Sequence, residues 1–151
     1  MSTPEQLDAM SIEHQELHKE LTAAANAGGE TAQAAKDVMS VLFPHMLLEE
    51  DLAIPALKLL PALARGEFNP DIKQVLRKTE ALKAELPRML AQHKVILQAL
   101  RRMLQAAMAE HHAPYARLAQ KLIRHAQTEE EVLYPASILV GEYIKLRLGQ
   151  S

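Results

Sequence analysis

Apolar side chains recur along this chain every three or four positions, the period of a helix with one buried face, and no stretch reads as a strand. Leu7, Met10, His14, Leu17 and Leu21 form the first stripe. Pro4 sits where a first helical turn tolerates it, and the run fades at Asn26-Ala27-Gly28-Gly29. A second pattern extends from about Thr31 to Leu60 through Val38, Leu42, His45, Leu48, Glu49 and Leu52, stopping around Pro61 to Pro70. Pro44 and Pro55 fall inside it and should bend or divide it, because proline lacks a backbone donor and crowds the preceding turn. The third, from about Asp71 to Glu110, carries Leu86, Leu90, His93, Leu97, Leu100 and Leu104, with a kink predicted at Pro87. The fourth starts near Pro114 and carries Leu118, Leu122, His125, Glu129 and Leu133 toward Pro135. A shorter tail, about Ile138 to Leu148, is predicted to pack outside. Short links between long amphipathic helices make neighbours antiparallel, so the pattern predicts an all-α, up-down-up-down four-helix bundle with a short C-terminal helix.

Composition agrees with helix almost everywhere: Ala and Leu supply 24 residues each, and Gly only 5. The 151 residues suit a single domain, residues 1–151, with one core. Lys and Arg number 17 against 19 Asp and Glu, with no basic block, so nucleic acid is not an expected partner. The stretch Met1-Ser2-Thr3-Pro4-Glu5 lacks the basic and apolar regions of a signal peptide, and the longest apolar stretch, Leu52 to Ala64, is interrupted by Lys58, Pro55 and Pro61. The expected compartment is the cytoplasm, with no membrane partner. There is no cysteine, which excludes a disulfide framework, a thiol nucleophile, a thiolate zinc site and an iron-sulfur cluster. Any metal must bind through nitrogen and oxygen.

The histidines carry the chemistry. Four of the seven, His14, His45, His93 and His125, lie inside the apolar stripes, one on each helix. A residue four positions on points from the same helical face, so His45 with Glu49 and His125 with Glu129 each present an imidazole and a carboxylate inward. Both pairs belong to a longer repeat, His45-x3-Glu49-Glu50-x2-Ala53-Ile54-Pro55 against His125-x3-Glu129-Glu130-x2-Leu133-Tyr134-Pro135. The other two repeat as well: His14-x2-Leu17-x3-Leu21 matches His93-x2-Ile96-x3-Leu100. The chain therefore reads as two related helical hairpins. At about 1.5 Å per residue, all four histidines lie roughly 20 to 25 Å from their hairpin turns and can meet at one level. Buried carboxylates are costly without a counter-charge, and a cation turns that cost into binding energy. Two carboxylates from opposite hairpins are placed to bridge two metals, each capped by two histidines, with positions left open for a small exogenous ligand. Iron suits such a donor set; manganese and zinc fit the same ligands.

These residues resemble the hemerythrin-like, or HHE cation-binding, domain, with its order His, His-x3-Glu, His, His-x3-Glu, over about Ile12 to Pro135. The resemblance implies a four-helix bundle around a non-haem di-iron centre, two iron ions with an oxo or hydroxo bridge. It implies His14, His45, His93 and His125 as terminal ligands and Glu49 and Glu129 as bridges. Members of that family bind O2 or nitric oxide, or respond to oxidants or iron level. The respiratory oxygen carriers have two histidines four apart on the third helix and a final Asp; here those places hold Leu97 and Glu129, which argues against stable O2 carriage. His18 is a candidate fifth imidazole.

The expected function is binding or sensing of O2, nitric oxide or peroxide, or iron handling, by a protein that is a binding module before it is an enzyme. The alternatives are a low-turnover enzyme that scavenges peroxide or nitric oxide or repairs damaged iron centres, and a metal-free helical interaction module. Glu50 and Glu130 point about 100° off the ligand face and are candidates to hydrogen-bond a ligand histidine from behind. Tyr134 is read as packing at the bundle end, His111 and His112 as surface residues at a helix end, and Met10, Met39, Met46, Met89, Met103 and Met108 as core filler.

Overall fold

The computed structural model describes residues 9–68 and 71–149, except the side chains of residues 9–11. Leu7 and Met10 of the first stripe fall outside the described side chains. The elements are helices α1 (Ala9–Ala25), α2 (Gly29–Leu52), α3 (Ile54–Lys58), α4 (Leu60–Ala64), α5 (Ile72–Ala109), α6 (Ala113–Thr128), a π-helical turn (Glu129–Leu133) and α7 (Tyr134–Leu148). No strand occurs among the described residues. None of these helices is long and apolar enough to cross a membrane. The chain divides into two compact units, Met1–Met46 with Ala91–Gln127, and Leu47–Leu90 with Thr128–Ser151.

In the first unit, Leu17, Leu21 and Ala24 of α1, Val38 and Leu42 of α2, Ile96, Leu100 and Met103 of α5, and Leu118 and Leu122 of α6 share one buried core. Full burial of each large side chain contributes about 1.5–3 kcal/mol, which holds these segments of four helices together. The link from α1 to α2 turns on Gly28 and Gly29, whose φ angles of 80° and 70° lie where a side chain is strained. Glu110, just beyond α5, ties down the start of α2: its carboxylate accepts from Thr31 N at 2.7 Å, Thr31 Oγ1 at 2.5 Å and Glu30 N at 3.1 Å. The bonds from Thr31 hold its acidity stronger than an ordinary glutamate's. A Cβ on Gly29 would also displace that carboxylate, the movable end of a flexible side chain, so the backbone angle is the stronger reason for glycine here. At the end of α5, His112 N–H bonds the carbonyl of Ala107 at 2.8 Å and His111 N–H that of Met108 at 3.2 Å. His111 takes the left-handed position, φ 58°, that glycine usually fills in such a helix stop.

In the second unit, Ala56, Ile72, Val75, Leu76, Val140 and Ile144 form one buried cluster, and Leu52, Ala53, Leu82, Met89 and Tyr134 another. The sequence pattern puts the tail outside, but α7 buries Tyr134, Ser137, Val140, Gly141 and Ile144 and is a core element of this unit. Its fit is close, since a Cβ on Gly141 would strike Thr79 of α5. Lys145 pairs with Glu80 at 2.5 Å and Lys83 with Glu142 at 3.0 Å. Periodicity alone could not reveal this, because α7 continues from the preceding helix with no loop between them.

The prolines act unequally. Pro44 and Pro87 lie inside α2 and α5 without ending them, and both are on exposed faces. There, a carbonyl deprived of its helical donor can turn to water. Pro55, by contrast, divides the second pattern. α2 stops at Leu52, Ala53 is a turn, and Pro55 and Pro61 occupy the opening turns of α3 and α4, which carry the chain to Ala64 rather than Leu60. Pro135 does neither. The expected stop is replaced by the π-helical turn, and Pro135 follows directly after it in the first turn of α7. The third stripe is also corrected: Leu86, Leu90, Leu97 and Leu104 are half-buried flanks, while Leu82, Met89, His93, Ile96, Leu100 and Met103 form its centre. Met46, Met89 and Met103 are buried and Met39 partly so, but Met108 is exposed, one position past buried Ala107.

Candidate metal centre

Within the first unit the four stripe histidines form two pairs. His45 of α2 and His93 of α5 bring their Nε2 atoms to 2.8 Å, with ring centroids 4.6 Å apart. His14 of α1 and His125 of α6 stand edge to face at 5.5 Å. Each pair thus takes one imidazole from each hairpin of the repeat. Gln92 Oε1 accepts from His45 Nδ1 at 2.8 Å, and Glu13 Oε1 accepts from His125 Nδ1 at 3.0 Å. A carbonyl or carboxylate oxygen can only accept, so both imidazoles carry their proton on Nδ1 and turn the basic Nε2 inward. Nε2 of His14 and of His125 are buried atoms.

Within the second unit, Glu49 and Glu129 are buried to 1% and 4% exposure. Tyr134, itself 1% exposed, donates its hydroxyl to Glu49 Oε2 at 2.7 Å. Burial first, then the charges of Glu129 and Glu49 and the hydrogen bond to Glu49, push the phenol far above its ordinary range, so it remains a donor. The π-helical turn makes room for this. In an ordinary helix five positions rotate about 140°, which would separate Glu129 from Tyr134; here Tyr134 N–H bonds the carbonyl of Glu129 across the wider turn, and both side chains are buried. Ser137 Oγ donates to the Ala53 carbonyl at 3.0 Å, fastening α7 beside them.

Taken over the described residues, two groups of side chains could hold a metal ion: His14, Glu49, His125 and Glu129, and His45, Glu49, His93 and Glu129. In each group one donor atom per residue lies within 4.8 Å of all the others, and both carboxylates belong to both groups. The donor set fits a cation. Nε2 of His45 and of His93, hydrogen-bonded to each other at 2.8 Å, lie close enough together for one ion to take both. Nitrogen and carboxylate donors in this number suit a divalent transition metal.

Of the remaining candidates, His18 is exposed and stacks on Phe43 at 4.1 Å, and it belongs to neither group. Glu50 and Glu130 are exposed but not without partners, and on His45 and His125 the Nδ1 protons are held by Gln92 and Glu13. Tyr134 is a hydrogen-bond donor to a candidate ligand rather than end packing. His111 is exposed and His112 half-buried. Sequence reasoning missed Gln92 and Glu13, although a signal existed: each immediately precedes a stripe histidine, at equivalent places in the repeat. No family model, curated protein or solved structure matches the chain.

Proposed function

We propose that the chain is a hemerythrin-like non-haem di-iron protein, an up-down-up-down antiparallel bundle that presents two irons to O2, nitric oxide or peroxide, for binding, sensing or iron handling. The observation that carries this reading is the sharing of Glu49 and Glu129 by both donor groups, because carboxylates common to two sites are what a metal pair requires. In this reading His45 and His93 would hold one ion and His14 and His125 the other, with Glu49 and Glu129 available to both. Bound iron supplies open coordination positions and one-electron redox chemistry to a small ligand.

The chain's own residues do the rest. Gln92 and Glu13 fix the ring orientation of His45 and His125 through Nδ1 and keep Nε2 as the donor. Tyr134 restrains one oxygen of Glu49, which limits the swings a carboxylate can make. Met46, Leu17 and Ile96 in the first unit, and Leu52 and Met89 in the second, are buried apolar residues within four positions of a donor. Binding rather than acid–base turnover is favoured by the remaining buried polar side chains. Among the described residues these are Thr31, Thr79 and Ser137, hydroxyls engaged with Glu110, Leu76 and Ala53, none of them an acid or base near neutral pH.

Metal analysis with an absorption spectrum of aerobically purified protein tests the reading. About two irons per chain with charge-transfer bands in the near ultraviolet are expected. Stoichiometric zinc with a featureless spectrum, or metal-free protein from iron-rich cells, would overturn it. Added peroxide or nitric oxide should give a single spectral change, whereas repeated consumption of the reagent would make the protein an enzyme.

A further inference from the structure

The two imidazole pairs share one plan. In the internal repeat His14 corresponds to His93 and His45 to His125, so residue 13 corresponds to residue 92. Each copy supplies the acceptor for the other copy's imidazole: residue 92 holds His45, and residue 13 holds His125. The plan is broken in two respects. The acceptor on His45 is a neutral amide, and that on His125 is a carboxylate. His45, His93 and His14 are sealed at 2%, 1% and 3% exposure, whereas the His125 side chain is 12% exposed and that of Glu13 48%, so the second pair meets solvent on its His125 side alone.

We propose that the two metal positions are inequivalent: the ion held by His14 and His125 enters and leaves past Glu13, and the ion held by His45 and His93 is retained. The proposal rests on the two-metal reading above and adds to it an order of loading and loss. An ion leaves a protein when water or a chelator reaches it and replaces its ligands one by one. At the His45 and His93 pair both rings are sealed; at the other pair Nε2 of His14 and His125 are buried, but the outer side of the His125 ring, beside Glu13, reaches solvent. Glu13 acts twice at this edge. Its half-exposed negative charge raises the local concentration of cations. Its acceptance of the Nδ1 proton also strengthens Nε2 of His125 as a donor, more than the amide of Gln92 does for His45. Glu13 is therefore a positioning residue that sets affinity at one position only.

The experiment uses full-length protein loaded anaerobically with ferrous iron, then exposed to excess EDTA while iron per chain is measured over time. Wild-type protein should lose iron in two phases of equal amplitude, with rates at least about tenfold apart. His125→Leu should lack the fast phase and keep the slow one. Glu13→Gln keeps an acceptor oxygen but removes the charge, and should quicken the fast phase about tenfold without changing the slow one. Loss of both ions in one phase, a fast phase that survives His125→Leu, or a fast phase indifferent to Glu13→Gln would overturn the proposal. Iron counted at the loading step separates the two ideas. Wild-type protein that takes up fewer than two ions defeats the two-metal reading and this proposal together, whereas two ions lost alike defeat the proposal alone.

Discussion

The His45–His93 pair and the His14–His125 pair differ less in their ligands than in what stands behind them. At the first, both rings are buried, and an amide one residue before His93 secures His45. At the second, a half-exposed carboxylate one residue before His14 secures a ring that solvent still touches. The repeated sequence thus yields two histidine pairs that are related but unequal in the groups that hold them and in their exposure.

The largest expected effect comes from a residue common to both groups. Glu49→Gln keeps the shape and removes the charge, and should take bound iron from about two per chain to near none, measured by metal analysis after anaerobic loading. A variant that keeps one ion would show that Glu49 serves only one position. Next come the paired substitutions His45→Leu and His125→Leu, each expected to leave about one ion per chain. They should differ in stability without metal. His45→Leu leaves Gln92 and His93 without their sealed partner and should cost about 1–3 kcal/mol in urea unfolding. His125→Leu leaves only half-exposed Glu13, which water satisfies, and should cost less. Equal losses would erase the contrast between the pairs.

Tyr134→Phe ranks third. It removes a hydroxyl that donates to buried Glu49, with an expected cost of about 1.5–3 kcal/mol in unfolding and about 10- to 100-fold in metal affinity by chelator competition. Unchanged affinity would reduce Tyr134 to packing. The smallest effect is a control on all of these. His111→Gly relieves a left-handed residue and should raise stability by about 1 kcal/mol with iron content and release rates unchanged, which separates stability from metal retention.

The helical character was legible because a 3.6-residue period survives whatever the helices pack against, and the Glu-Glu-Pro repeat marked Glu49 and Glu129 from their spacing alone. Three features were not. Tyr134 lies five residues past Glu129, a spacing that an ordinary helix turns away from the site; only the π-helical turn, beside a proline that cannot donate, brings both inside. Pro55 occupies the matching place in the first copy and yields a one-residue break and a five-residue helix, so the consequence of a proline depends on how the residues beyond it pack into the core. Gln92 and Glu13 escaped because their partners are 47 and 112 residues away, and helix rotation, which decides who faces whom, is not written in any local pattern.

Anomalous diffraction at the iron edge, on crystals of protein loaded anaerobically, tests the central claim most directly. Two peaks are predicted, one bounded by His45 and His93 and the other by His14 and His125, with Glu49 and Glu129 reaching both. A map with no peak at these side chains, or a single peak reached by neither carboxylate, would contradict it.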